Sequence, residues 1–132
     1  MNDMRSKVFP LCRYGFELAA NIPQGLWTRG YKSIIDQMKS FGYNTIRLTY
    51  TNQMLRPESV VSGVNYAVNS DLVGLSPLQC MDMIINYCGV AGLRVILVRY
   101  SAITGNNFNE AYWYVAGDNF YNDKRFENTK QL

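Results

Sequence analysis

Glu17, Glu58, Glu110 and Glu127 are the only glutamates of this chain, and it contains no histidine. Without an imidazole, no Ser-His-Asp relay and no His-ligated metal site can be built from these residues. Acid–base work near neutral pH then falls to carboxylates tuned by their surroundings. Glu58 and Glu127 stand in polar stretches, the pattern of solvated surface groups. Three cysteines with no Cys-x-x-Cys spacing argue against a disulfide framework or a zinc site. Cys80 and Cys88 fall on one expected helix, about 12 Å apart along its axis and too far to bridge, so the cysteines read as small buried hydrophobes. No cofactor or metal is expected. The remaining chemistry-bearing residues are Arg47, Tyr100 and the aromatics Trp27, Tyr50, Trp113 and Tyr114.

These residues need elements to hold them. Residues 8–14 read as a first strand, weakened by Pro10 and Arg13. A loop follows over 15–27, broken by Asn21, Pro23 and Gly25. Tyr31, Ile34, Ile35, Met38 and Phe41 form one apolar stripe at helical spacing over 31–41, with Gly42 as its stop. Residues 44–50 form a β-branched strand on which Arg47 shares a face with Thr45 and Thr49, opposite Ile46 and Leu48. A long polar loop without period spans 51–75. Ser76 and Pro77 open a second helix as N-cap and first-turn proline. Leu78, Met81, Ile84, Ile85 and Cys88 supply its buried face, and Gly92 ends it. The apolar run 93–98 is that of a strand covered on both faces. From Ser101 onward the chain is rich in Asn, Gly and aromatics and reads as irregular, with 115–132 an irregular tail.

Strand, helix, strand, helix, strand is the grammar of a parallel sheet with right-handed crossovers. No Gly-x-Gly-x-x-Gly follows any strand, which disfavours a dinucleotide fold. Long polar and aromatic loops after the strands suit a barrel with its chemistry at the strands' C-terminal ends.

Composition narrows the function classes. With 132 residues, of which 48% are hydrophobic, the chain can bury a core. Its net charge of +3 is carried by scattered Lys and Arg, so the clustered basic face of a nucleic-acid binder is absent. No stretch approaches the about 20 apolar residues of a membrane span. The segment 1–7 lacks the pattern of a secretory leader, which leaves the compartment open.

Specific blocks carry a resemblance. Gly15-Phe16-Glu17, then Pro23-Gln24-Gly25-Leu26-Trp27, then Tyr43-Asn44-Thr45-Ile46-Arg47-Leu48-Thr49-Tyr50 occur in order. Gly74-Leu75-Ser76-Pro77-Leu78-Gln79, Gly92-Leu93-Arg94-Val95-Ile96-Leu97 and Ala111-Tyr112-Trp113-Tyr114 follow. Together they resemble the first three βα units of a family-five glycoside hydrolase of the cellulase type, over about 8–114. The resemblance implies an α/β fold, a partial (β/α)8 TIM barrel forming one incomplete domain over 1–132. It also implies retaining hydrolysis of β-1,4-glucan, so that a β-glucan or cello-oligosaccharide is the expected partner.

In the family the acid/base and the nucleophile are glutamates at the ends of the fourth and seventh strands, the first in Asn-Glu-Pro. Retaining enzymes hold the two about 5 Å apart. No Asn-Glu-Pro occurs here, so neither catalytic glutamate is expected among these residues, and no activity is expected of the chain alone. Asn109-Glu110 is followed by Ala111 and lacks the strand context. Glu17 matches a structural or subsite-lining position. Arg47 matches the arginine that keeps the nucleophile ionised. Trp27, Tyr50, Trp113 and Tyr114 match rim positions where flat rings meet the apolar faces of glucose.

Departures are concentrated where the family titrates. Its Asp-Arg-His-Arg-Pro after strand three stands here as Val98-Arg99-Tyr100-Ser101-Ala102. Val98 and Tyr100 are two apart, so they are expected on one face. Gln24 replaces a histidine and Arg13 a tryptophan. The alternatives are a carbohydrate-binding pseudoenzyme and an unrelated small α/β interaction protein. A partial barrel also implies open sheet edges and self-association.

Overall fold

The structure is a computed structural model that describes Val8–Pro10 and residues 15–101. Three parallel strands, β1 (Val8–Pro10), β2 (Thr45–Thr51) and β3 (Arg94–Ser101), lie side by side in chain order. Helix α1 (Tyr31–Ser40) connects the first pair and α2 (Pro77–Val90) the second. The register places Pro10 and Ile96 on either side of Arg47. Strands that advance one place per crossover, without reversing, follow barrel order; a doubly wound sheet reverses at a switch point.

Each element forms for a local reason. The Ser76 hydroxyl accepts from the Gln79 amide, and the Gln79 side chain returns to the Ser76 amide, a full capping box with Pro77 in the first turn. Both helices end before a glycine at positive φ, Gly42 and Gly92, where a side chain would be strained. α1 has no capping side chain of its own, since Gly30 stands at its N-cap. Its first amide, Tyr31 N, instead donates to Asn69 Oδ1 at 2.9 Å, from the loop after β2.

Ile46 and Leu48 of β2 are buried in one cluster with Ile35 and Met38 of α1 and Cys80, Met81, Ile84 and Cys88 of α2. Each fully buried Leu or Ile contributes roughly 1.5–3 kcal/mol relative to exposure. The helices also meet directly: Tyr31 and Tyr87 pack edge to face, and the Tyr87 hydroxyl donates to Asp36 at 2.8 Å.

Three sequence expectations require correction. Phe41 is 62% exposed, because the helix ends at Ser40 and Phe41 leaves the stripe. Leu78 is exposed, while Met81, Ile84 and Cys88 are buried as expected and are joined by Pro77 and Cys80. β3 is not covered on both faces: Ile96 and Leu97, which point to opposite sides, are each about half exposed, at 47% and 49%. Among the described residues β3 pairs with β2 alone. The expected 51–75 loop contains two short 3-10 turns, Gln53–Leu55 and Ser70–Leu72, which bury Met54 and Leu72. The remainder of the expected first strand, the tail 115–132, and Cys12, Arg13, Glu110, Trp113, Tyr114 and Glu127 lie outside the described residues.

Candidate functional site at the C-terminal ends of the strands

With Ile46 and Leu48 turned into the helix-facing core, alternation sends Thr45, Arg47 and Thr49 to the opposite face of β2. The Arg47 side chain is exposed there. Val98 stands opposite Thr49 and Ile96 opposite Arg47, so the same face continues onto β3.

Alternation does not carry on to Tyr100. The register passes from Arg99 opposite Tyr50 to Ser101 opposite Thr51, stepping over Tyr100 at a bulge. Arg99 is drawn to the other side, where its Nε donates to the Oδ1 of buried Asn52 at 2.9 Å. Burial lowers the Arg99 pKa, opposed by neighbouring Tyr50, and burial raises that of Tyr50, opposed by Arg99. Tyr50 is thus half-buried beside a cation.

The loops above β1 and β2 form one layer. Asn21 Nδ2 donates to Val60 O at 3.0 Å, Ser62 N to Ala20 O at 3.1 Å and Asn65 N to Leu26 O at 2.9 Å. Asn69, 1% exposed, closes the layer by donating Nδ2 to Leu26 O and Arg29 O, each at 3.2 Å. Trp27 rides on this layer with 53% of its surface exposed. Tyr66 also stands exposed, next to the bonded Asn65. Sequence reading passed over Tyr66, because its loop has no periodicity; an aromatic in a polar loop was the available signal.

Glu17 is the described carboxylate tied to β2. It is 4% exposed, and its Oε2 accepts the Thr49 hydroxyl at 2.5 Å. Gly15 makes this possible: a Cβ there would lie 2.4 Å from Thr49 Oγ1 and 2.8 Å from the Thr49 carbonyl oxygen. Phe16 N also donates to that carbonyl at 2.9 Å. The other partnered carboxylates lie elsewhere: Asp36 with Tyr87, Asp71 with Tyr31 and Lys32, and Glu58 with Arg56 at the surface. No group of three or more Cys, Asp or Glu among the described residues could hold a metal. No helix among them is long and apolar enough to cross a membrane.

Residues 7–131 match the Cellulase family, glycosyl hydrolase family 5. The chain belongs to glycosyl hydrolase family 5. An endoglucanase of Paenibacillus polymyxa is 38% identical over 103 residues, 78% of this chain and 25% of the relative. A cellotetraose complex of an endocellulase from Pyrococcus horikoshii superposes with a TM-score of 0.74 at 34% identity, covering 88% of this chain and 29% of that one. The catalytic domain of the major endoglucanase from Xanthomonas campestris pv. campestris gives a TM-score of 0.71 at 31% identity, covering 78% and 29%. The chain therefore spans about a quarter of the length of the relatives it matches. Its three parallel strands and two crossover helices are the first part of a family 5 barrel, and the reading as an unrelated small α/β protein is set aside. Thr49 and the loops carrying Glu17 and Trp27 lie toward the strands' C-terminal ends, the side on which such barrels do their chemistry, and Arg47 stands on the same face of β2 two residues before Thr49.

Proposed function

We propose that this chain supplies the glucan-binding wall of a family 5 endoglucanase site and does not by itself hydrolyse the polymer. Arg47 is the observation that carries the reading: an exposed guanidinium on the face of β2 that turns away from the helices. A guanidinium there favours the charged form of a neighbouring carboxylate, the form a nucleophile needs. Trp27, 53% exposed on the loop layer, offers a flat face to the apolar C–H surfaces of glucose units, whereas Tyr50 packs against the core on the Ile46 and Leu48 side of β2 and leaves the expected rim.

Retaining hydrolysis needs two carboxyl groups about 5 Å apart, one to protonate the leaving oxygen and one to form the glycosyl-enzyme. β2 and β3 carry no Asp or Glu. Val98 and Tyr100 stand where the family has titratable groups, and a phenol with an ordinary pKa of about 10 is a poor proton carrier near neutrality. Binding of a β-1,4-glucan without turnover follows.

The test pairs calorimetric titration of the purified chain with cellotetraose and a reducing-sugar assay on soluble β-1,4-glucan. Saturable binding with product release at the uncatalysed rate is expected, and Trp27→Ala should weaken binding. Hydrolysis abolished by Arg47→Ala or Glu110→Gln would overturn the non-catalytic reading. Absence of any binding would overturn the glucan reading.

A further inference from the structure

We infer that Glu17 is a sugar-hydroxyl acceptor of this wall, holding the edge of a glucose unit. The inference rests on the glucan reading above and assigns one of its polar contacts. Glu17 is the most deeply buried carboxylate among the described residues. Burying a charge is expensive unless it is paired or fully hydrogen-bonded. No described Lys or Arg forms an ion pair with Glu17, and Thr49 is its hydrogen-bond partner. A carboxylate has about four lone-pair directions, and one hydroxyl satisfies one of them.

The position of the remaining acceptor capacity is set by Thr49. Thr49 shares the Arg47 face of β2, so its bond holds the Glu17 carboxylate at the C-terminal end of that face. The contact is built rather than incidental, because Gly15 has no side chain and so lets the loop close onto Thr49. The same loop exposes Trp27, and its bonds to the next loop fix both residues on one frame.

Glucose has the chemistry to meet both groups. Its C–H faces are apolar and stack on an aromatic ring. Its hydroxyls project from the ring edge, where an anionic acceptor makes stronger hydrogen bonds than a neutral one. The expected ligand is a β-1,4-linked glucose unit donating one or two hydroxyls to Glu17.

Calorimetric titration of the whole chain with cellotetraose tests this. Glu17→Gln should raise Kd about tenfold, the weight of a hydrogen bond to a charged group. In a series of cellotetraoses each lacking one hydroxyl type, the difference between Glu17→Gln and the parent should vanish for the sugar missing the donated hydroxyl. A merely structural glutamate would give the same loss with every sugar, and that result overturns the proposal. So does parent-like binding by Glu17→Gln. If Glu17→Gln fails to fold, Thr49→Val provides the second variant, keeping the charge while releasing the carboxylate; unchanged binding there also overturns it. Loss of binding in Trp27→Ala with none in Glu17→Gln defeats this inference alone, whereas absence of binding by the parent defeats the glucan reading as well.

Discussion

Tyr31, the first residue of α1, donates its hydroxyl hydrogen to Asp71 Oδ2 across 2.6 Å, and Asp71 pairs with Lys32 Nζ at 2.9 Å. The start of a helix is thereby fastened to a loop forty residues later. Burial pushes the Tyr31 pKa far above its ordinary value, with Asp71 adding to the rise. Burial alone would raise Asp71, but the hydrogen bonds from Tyr31 and Lys32 outweigh it and hold that carboxyl below its usual value.

This pair predicts a stability profile with two limbs. The folded Asp71 pKa lies below the unfolded one, so its contribution is present above about pH 4 and lost as pH falls through the folded value. The folded Tyr31 pKa lies above the unfolded one, so its contribution is complete below about pH 10 and lost as pH rises beyond it. Urea midpoints measured from pH 3 to 11 should show a plateau between these limbs. Tyr31→Phe should lower the plateau by about 1–2 kcal/mol and shrink the alkaline limb. An unchanged alkaline limb would refute the assignment.

Asn69 should be among the least replaceable polar residues. Its side chain serves Tyr31 N, Leu26 O, Arg29 O and Asn65 O from a position 1% exposed. Asn69→Ala leaves these buried groups without a partner, at an expected loss on the order of 3 kcal/mol. Asn69→Asp keeps the acceptor for Tyr31 N but removes the donors, and should also destabilise. Thermal unfolding measures both; wild-type midpoints would show the layer does not depend on this residue.

Much of this architecture was legible because it is local. The capping box at Ser76 and Gln79, the stripe of α1 and the alternation around Arg47 depend on residues a few positions apart. Asn69 and Glu17 were not legible in the same way. Their partners lie 38 and 32 residues away, and only the fold brings them together. The exposure of Ile96 and Leu97 was hidden for a different reason. An apolar run reports what a strand is suited to pack against, not which neighbours stand beside it. The bulge at Tyr100 breaks the two-residue period on which its expected facing relied.

Gly15→Ala should be destabilising by about 2 kcal/mol, because the added Cβ must displace the Thr49 backbone. Thr49→Ala should not rescue it: the carbonyl oxygen, 2.8 Å from the Cβ position, remains after the hydroxyl is gone. Denaturant unfolding of the single and double variants decides the matter. Recovery in the double variant would mean the hydroxyl alone fills the space.

The last prediction concerns the edge of β3 that faces away from β2. A closed barrel has no edges, because each strand has a neighbour on both sides. Here, among the described residues, β3 pairs only with β2, and its Ile96 and Leu97 are each about half exposed on opposite faces. Val95 to Val98 is an uncharged, β-branched-rich run of the kind that templates pairing with another chain. The purified chain is therefore expected to self-associate with rising concentration, seen as a shift to larger species in size-exclusion chromatography and as dye binding to apolar surface. Leu97→Lys should move the equilibrium back toward monomer while leaving β2 and the core intact, since a lysine on an edge disfavours edge-to-edge pairing. Amide exchange separates the causes: protection of 95–98 should rise with concentration in the parent and not in the variant. A monodisperse parent monomer with a sharp unfolding transition and protected 95–98 amides at low concentration would show that the edge is already satisfied within one chain.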